Sequence, residues 1–262
     1  MELLDIKDKT YSFNIIVVGC GATGSQFIPN LSQLLSYHTD HNVTLIDGDL
    51  FEAKNQKNQK CIERDINRHK SEVMCQRYKR AYPDLDIAYQ TEYIRSEEQI
   101  FDMLKGNERM PVLISCVDNN ATRQIFHNVF HSDKVPQMIY IDSGNGTDNM
   151  IGQTVIGYKK ITSRKQCEDS NGGYDRYTTK PVSEIIYESA GVLFPEILED
   201  KDTIDKVLSC SYHVEEAPQN IGTNVTAATI LFNILNNMIS FDRIPGHIIY
   251  FDAKNLTCVC RE

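Results

Sequence analysis

The chain has 262 residues, 41% hydrophobic content and a formal net charge of −9. This length is enough for one sizeable α/β domain, and we expect a single domain over residues 1–262. The acidic balance argues against a broad nucleic-acid-binding surface. No apolar run approaches the ~18 residues of a membrane span, and residues 1–8 lack the basic-then-apolar order of a signal peptide. We therefore expect a cytoplasmic protein that is not bound to a membrane.

Strands and helices alternate through the first part of the chain, which is typical of a doubly wound fold. The predicted elements are, in chain order, a strand at 14–18, a helix at 23–37, a strand at 42–46, a helix at 69–81, a strand at 86–91, a helix at 97–104, a strand leading to residue 118, a helix at 119–131 and a strand at 137–142. We predict a Rossmann-type, mainly parallel sheet, with a nucleotide-binding core over residues 14–158.

The second part of the chain departs from this alternation. A turn-rich stretch leads into a strand at 151–158, which we expect to add antiparallel pairing to the sheet. Residues 159–180 are polar and predict a mobile loop, whereas 224–239 predicts a long apolar helix packed on the sheet. Strands near 247–252 and 256–260 complete a C-terminal helical and strand extension over residues 159–262.

A glycine-rich turn follows the first strand, in the order Val17-Val18-Gly19-Cys20-Gly21-Ala22-Thr23-Gly24. Glycines at this position let the backbone approach a phosphate at a helix N-terminus, so Gly19, Gly21 and Gly24 are candidate nucleotide-binding residues. The second strand ends at Asp47, a candidate for hydrogen bonds to a ribose. Asp47 could also be a turn residue before Gly48.

Asp118 follows the apolar run Val112 to Val117, directly before a predicted helix. This position places a carboxylate at the ligand-binding edge of the sheet, where it could hold Mg²⁺. The alternative is that Asp118 only caps the helix. Together with the glycine-rich turn, the acid indicates ATP and Mg²⁺ chemistry rather than hydride transfer.

The glycine-rich turn and three further segments, four ordered blocks over residues 14–158, resemble the ThiF/MoeB family of ubiquitin-activating-type adenylyltransferases. Residues 47–59 (Asp-Gly-Asp-Leu-Phe-Glu-Ala-Lys-Asn-Gln-Lys-Asn-Gln) match the spacing of the family pattern Asp-x-Asp-x-Val-Glu-x-Ser-Asn-Leu-Asn-Arg-Gln. Residues 65–72 are similar to Asp-Ile-Gly-x-x-Lys-Ala-Glu, and residues 116–123 to Thr-Asp-Asn-x-x-Thr-Arg. Residues 209–212 and 224–238 look similar to the small ThiF-like proteins of PRTRC operons.

The resemblance implies that a carboxylate attacks the α-phosphorus of ATP and gives an acyl-adenylate and pyrophosphate. The carboxylate is typically the C-terminal glycine of a small β-grasp protein, either ubiquitin-like or a sulfur carrier. Because that nucleophile is already ionised, the protein has to neutralise charge on the phosphates rather than supply a base. The resemblance also implies a homodimer with paired ATP sites.

The resemblance further implies roles for single residues. Asp118 would hold Mg²⁺, Lys70 would contact the phosphates, and Asp47 would bind the ribose; Lys70 could instead be a solvated helix lysine. The remaining cofactor-binding candidates are Asp49, Asn55, Lys57, Asn58 and Gln59, of which Asn55 and Gln59 would bind phosphate or order the loop. The chain departs from the family at Asn58, where relatives carry an arginine that reaches the phosphates. Lys57 could replace the charge of that arginine but not its forked geometry.

Cysteine placement bears on a second step, in which the acyl group passes to a thiol. Cys210 lies in a polar segment near His213 and is the candidate for this catalytic role, with Cys167 as the runner-up. The alternative is that Cys210 is an unreactive thiol packed near the last helix. Cys258 and Cys260 form a Cys-x-Cys that alternates across a predicted strand, so we expect no structural zinc.

Two other classes of function remain open at the level of the sequence. Asp47 by itself favours an NAD(P)-dependent oxidoreductase. Asn58 by itself favours a non-catalytic nucleotide binder that docks a partner.

Overall fold

The computed structural model describes residues 4–5, 12–146, 150–168, 174–201 and 220–262, of which 4–5, 164–168 and 174–180 are described by their backbone alone. The helices in this part of the chain are α1 Ala22–Tyr37, α2 Lys70–Ala81, α3 Glu97–Leu104, α4 Asn120–His131, α5 Ala190–Leu193, α6 Glu196–Glu199 and α7 Ile221–Phe241. The strands are β1 Leu4–Asp5, β2 Phe13–Val18, β3 Asn42–Ile46, β4 Ile87–Gln90, β5 Met110–Ser115, β6 Met138–Asn145, β7 Ile151–Glu168, β8 Tyr174–Tyr187, β9 Arg243–Ile244, β10 Ile248–Asp252 and β11 Thr257–Arg261.

The main sheet has the strand order β11-β10-β7-β6-β5-β2-β3-β4, with β8 added to β7. Strands β4, β3, β2, β5 and β6 are mutually parallel, and β7, β8, β10 and β11 add antiparallel pairs. Strands β1 and β9 form a separate two-stranded sheet. The predicted fold class, a mainly parallel α/β sheet with antiparallel additions, is confirmed.

The central strand β2 is buried along its whole length, as expected for a parallel strand covered on both faces. Phe13, Ile15 and Val17 pack in a core that includes side chains of α1, α2 and α7. Ile16 and Val18 point to the other face, where α3 and α4 pack. The alternation of side chains along β2 therefore produces the two helical layers around the sheet.

Helix α7 returns the C-terminal part of the chain to the sheet, on the same face as α1. It begins where the side chain of Asn220 accepts a hydrogen bond from Gly222 N at 2.8 Å. The predicted helix at 224–239 is confirmed, with three more residues at its start and two at its end. None of the described helices is long and apolar enough to cross a membrane.

The predicted loop at 159–180 is wrong over most of its length. β7 continues to Glu168 and pairs with β8, which begins at Tyr174. Pairing with β6 stops at Lys159, so beyond that residue β8 is the one strand among the described residues that pairs with β7. The polar composition obscured this antiparallel pairing of β7 with β8.

Arg123, the last residue of the 116–123 segment, forms a buried ion pair with Asp142. Arg123 Nε donates to Asp142 Oδ1 at 3.0 Å, and Arg123 Nη2 donates to Val117 O at 2.7 Å. Arg123 and Asp142 are both almost completely buried. Burial alone would lower the pKa of Arg123, but the charge of Asp142, its hydrogen bond to Arg123 and the nearby Tyr140 and Asp118 together raise the pKa of Arg123. This guanidinium ties α4 to the ends of β5 and β6.

We predict that Arg123→Met lowers the free energy of unfolding by about 3–5 kcal/mol, because it leaves the carboxylate of Asp142 buried without its partner. Denaturant unfolding at neutral pH measures the change. Lys54→Ala is the control, since the Lys54–Glu52 pair at 3.1 Å is exposed and should contribute less than ~1 kcal/mol. Equal stability of the Arg123 variant and wild type would contradict this role.

Candidate active site

The glycine-rich turn between β2 and α1 is closed too tightly for a side chain at Gly19 or at Gly24. Gly19 has a φ of +95°, and a Cβ there would lie 2.6 Å from Cys116 O. A Cβ on Gly24 would lie 2.0 Å from Gly19 O. These approaches bring the first turn of α1 against the ends of β2 and β5. Gly21 is the N-cap of α1 and has no side-chain cap, so the first backbone N–H groups of this helix suit an anion.

Asp47 fixes this turn from the end of β3. Its Oδ2 accepts from Cys20 N at 2.6 Å, and its Oδ1 accepts from Asp49 N at 2.8 Å. Burial raises the pKa of Asp47, although nearby Lys70 works in the opposite direction. The turn alternative was correct in one respect, because Asp47 does order its own turn. Its carboxylate also reaches the glycine loop, which a turn residue does not require.

Lys70 is the first residue of α2 and is buried, so it is not a solvated helix lysine. Its Nζ donates to Asp49 Oδ2 at 2.9 Å, and its backbone N donates to Asp49 O at 2.9 Å. Burial opposes the charge of Lys70, but Asp47 and Asp49 outweigh it and raise its pKa. A charged ammonium is thus held beside the glycine loop by two carboxylates.

Asp49 is the acceptor at the centre of this group. Burial would raise its pKa, but Lys70 and the hydroxyl of Tyr93, which donates to Asp49 Oδ1, bring the pKa of Asp49 below its usual value. The ring of Tyr93 lies against Gly48, where a Cβ would come within 2.6 Å of it. Sequence reasoning missed Tyr93, because only the folded chain brings the segment after β4 to the end of β3.

Asp118 lies in the turn between β5 and α4, three residues after the strand ends at Ser115. Its side chain is exposed and makes no hydrogen bond with any residue in the described ranges. The cap of α4 is Asn119, whose side chain accepts from Thr122 N at 2.9 Å. The capping alternative for Asp118 is therefore wrong, and its carboxylate is available to a ligand.

The segment after β3 forms a 3₁₀ turn over Ala53–Lys57. Asn55 is buried and orders this turn by accepting from Glu52 N at 2.9 Å. Asn58 ends the turn, and its carbonyl oxygen accepts from Gln26 Nε2 at 3.4 Å. Lys57 is exposed. Asn55 is thus a structural residue in this conformation, while Lys57 remains free to turn toward an anion.

Gln59 adds an observation that points to a ligand. Its Oε1 is buried and has no hydrogen-bond partner among the described residues, and its Nε2 lies 3.9 Å from where a Cβ on Gly21 would be. A buried polar atom without a partner is unusual in a folded protein. Phosphate oxygens accept hydrogen bonds, so the glycine-rich loop, the uncapped helix and the Nε2 donor of Gln59 beside Gly21 fit a bound triphosphate. The unpaired Oε1 is an acceptor and fits a donor group of a ligand.

At this edge of the sheet, protein side chains could supply only part of the coordination of a magnesium ion. Among the described residues, no three His, Cys, Asp or Glu side chains converge as a metal site. Mg²⁺ in nucleotide sites is commonly held by one or two carboxylates together with phosphates and water. The exposed carboxylate of Asp118 suits that mode, and Asp49 is already engaged by Lys70 and Tyr93.

The cysteines near the site are held as thiols. Burial, with the charge of Asp47, raises the pKa of Cys20 far above its usual value, and burial raises the pKa of Cys116 to about 12. Neither suits a nucleophilic thiolate. Cys210 lies outside the described residues, as does the side chain of Cys167, so both assignments stay predictions.

A protein-family comparison matches residues 4–192 to the ThiF family. The chain belongs to the ThiF family. The match covers the glycine loop, the 47–59 and 65–72 segments and the 116–123 segment. No curated protein matches the chain.

Solved structures show that this ThiF-family chain shares its fold with larger proteins. Escherichia coli MccB, crystallised with AMPCPP and MccA, is 15% identical with a TM-score of 0.58, over 98% of this chain and 65% of that one. E. coli MccB with ATP gives 15% identity and a TM-score of 0.59 over the same shares. PaaA gives 13% identity and a TM-score of 0.60, over 96% of this chain and 64% of that one. The chain thus spans about two thirds of the length of these proteins, and the likeness concerns the fold alone.

We predict that Asp49→Asn lowers the free energy of unfolding by roughly 1 kcal/mol at neutral pH, because Lys70 loses a charged acceptor that is itself half exposed. Since the pKa of Asp49 is lowered below 3.8 in the folded protein, this contribution is complete above pH 3.8 and fades only as the pH falls further. Urea unfolding of both proteins at pH 7 measures it. Asp86→Asn is the control, as its pair with Arg109 at 3.8 Å is exposed. No loss in the Asp49 variant would contradict the assigned pairing.

Proposed function

We propose that this ThiF-family chain adenylates the C-terminal carboxylate of a peptide or small protein, with a β-grasp ubiquitin-like or sulfur-carrier protein as the expected substrate. The observation that carries the proposal is the group of residues at one sheet edge. Gly19 to Gly24 form an anion cradle in which Gly19 and Gly24 have no room for a side chain, Lys70 supplies a buried charge beside it, and the exposed carboxylate of Asp118 makes no hydrogen bond with a described residue. The crystallisation of MccB with ATP and with MccA supports this reading by similarity of fold.

The reaction requires the protein mainly to position the two reactants and to neutralise charge on the phosphates. The substrate carboxylate attacks the α-phosphorus, a new C–O–P linkage forms, and the bond to the β-phosphate breaks so that pyrophosphate leaves with its electron pair. Lys70 and the N–H groups at the start of α1 would stabilise the charge that develops on the phosphate oxygens. Bound Mg²⁺, held by Asp118, would supply further charge neutralisation. The substrate carboxylate is already ionised, so this step does not require a general base.

The two alternative functions differ from adenylation in which of these residues they would use. In a nicotinamide enzyme Asp47 would serve the ribose, but nothing in such a reaction requires Lys70 or Asp118. A non-catalytic binder would tolerate the loss of the family arginine at Asn58. Lys57, exposed one position earlier, is the cation that we propose to compensate for it.

The proposal includes further features that follow from the family resemblance. We propose that the whole chain acts as one adenylation domain in the cytoplasm, and that it forms a homodimer. Ile221, Val225 and Phe241 of α7 are exposed apolar side chains that support an interface, and light scattering tests the dimer. Transfer of the acyl group to Cys210 would give a reductant-sensitive adduct that is lost in Cys210→Ala.

We predict that Asp118→Asn lowers ATP–pyrophosphate exchange at least ~100-fold while leaving thermal unfolding unchanged, because it removes a ligand of Mg²⁺ but touches no buried contact. The acceptors are a panel of β-grasp carrier proteins and peptides that end in Gly-Gly. Wild type should bind ATP with Mg²⁺ and not NAD.

Asp102→Asn is the matched control for this experiment, because it removes a carboxylate from helix α3 on the sheet face away from α1. Full exchange activity in the folded Asp118 variant would refute the metal role. Tight binding of NAD in preference to ATP would favour the oxidoreductase instead. Binding of ATP without exchange for any acceptor would favour the non-catalytic binder.

A further inference from the structure

A group of buried polar side chains lies beside the glycine loop and has no role in the proposed chemistry so far. Asn145, at the end of β6, donates through Nδ2 to Thr23 Oγ1 at 2.8 Å and to Asn224 Oδ1 at 3.2 Å. Thr23, in the first turn of α1, donates to the same Asn224 Oδ1 at 3.3 Å. These contacts join α1, β6 and α7 at the carboxyl edge of the sheet.

Further polar residues extend this group along the same face of the sheet. Ser143 lies on the same face of β6 as Asn145. Thr154 of β7 pairs with Ser143 across the two strands. Thr223 precedes Asn224 in α7 and is also buried. The polar cluster is defined here as Thr23, Ser143, Asn145, Thr154, Thr223 and Asn224.

The polar cluster is short of hydrogen bonds. In the described part of the chain nine buried side-chain N or O atoms have no partner, and five of them belong to this cluster. They are Ser143 Oγ, Asn145 Oδ1, Thr154 Oγ1, Thr223 Oγ1 and Asn224 Nδ2. Buried polar groups are nearly always paired, so a concentration of unpaired ones indicates that something else binds there.

The position of the cluster matches the side from which a substrate must come. Along the sheet edge, Asp47 ends β3, the glycine loop ends β2 and Asp118 follows β5. The next strand is β6, which ends at Asn145. If nucleoside and phosphates occupy the first three positions, the attacking carboxylate approaches from the β6 side.

The chemistry of the unpaired atoms decides what kind of group fits. Asn224 Nδ2 can only donate and Asn145 Oδ1 can only accept, while the hydroxyls can do both. A free carboxylate only accepts hydrogen bonds. A peptide group accepts through its carbonyl oxygen and donates through its N–H, and so matches both asparagines.

We propose that the polar cluster binds the last peptide group of the substrate's C-terminal tail and so aims the terminal carboxylate at the α-phosphorus. This inference rests on the proposed function and adds that the substrate is read through its main chain. Asn145 is only partly buried, and binding requires local opening around it, because the unpaired atoms are closed to solvent in this structure.

Asn224→Asp provides a sharp test, because the variant keeps an acceptor at Oδ1 for Thr23 and Asn145 but replaces the unpaired donor with an acceptor. We expect the KM for the acceptor that supports exchange in wild type to rise at least ~10-fold, with the KM for ATP unchanged. Asn233→Asp adds the same charge at an exposed position of α7 and should leave both constants unchanged.

A change in the substrate guards against a variant that folds poorly. The same acceptor ending in N-methylglycine lacks the last peptide N–H, and wild type should use it at least ~10-fold less efficiently. Normal use of this acceptor, together with an unchanged acceptor KM in Asn224→Asp, overturns the inference and leaves the proposed function intact.

Two further outcomes also decide the matter. If Asn224→Asp unfolds at lower temperature while wild type uses the N-methylated acceptor normally, the polar cluster is purely structural and the inference is wrong. If wild type shows no exchange with any acceptor, the proposed function fails and the inference fails with it.

Discussion

The tightest steric constraint in this protein is the contact between the end of β2 and the start of α1. It leaves no room for a side chain at Gly19 or Gly24. Gly19 donates through its backbone N to Ile46 O at 2.9 Å, and its carbonyl oxygen sits where a side chain on Gly24 would be. Cys116 N reaches back to Val18 O at 2.8 Å. Three parallel strands and one helix therefore meet around one short loop, and every candidate ligand-binding group is positioned relative to it.

Around this loop the positive charge of Lys70 lies beside the acidic groups of Asp47 and Asp49. Asp47 gives both carboxylate oxygens to backbone N–H groups and remains costly to ionise, since burial raises its pKa. Asp49 is easier to ionise than usual because Lys70 and Tyr93 both contact it. The buried ammonium of Lys70 is stable because it lies between the two acids. A polyanion that enters beside Lys70 meets a cation that is already desolvated and held in place.

The structure also separates residues that hold the site together from those that are free to bind. Arg123, Asn55 and Asn119 use their polar atoms to fix strand ends and turns. Asp118 and Lys57 are exposed. This division explains why a sequence pattern alone mixes the two kinds, since both are polar residues at strand ends.

The sequence by itself determined the alternating elements, the parallel core, the glycine loop and the candidate acids, because these depend on local periodicity and on glycine's lack of a side chain. It did not predict the antiparallel pairing of β7 with β8, because a polar composition conceals the period-two pattern of strands. Tertiary structure alone decided that Lys70 is buried against Asp49, that Tyr93 joins them, and that Asn145 and Asn224 meet. These groups lie between 21 and 79 residues apart in the chain, so only the packing of the sheet and helices brings their polar atoms together.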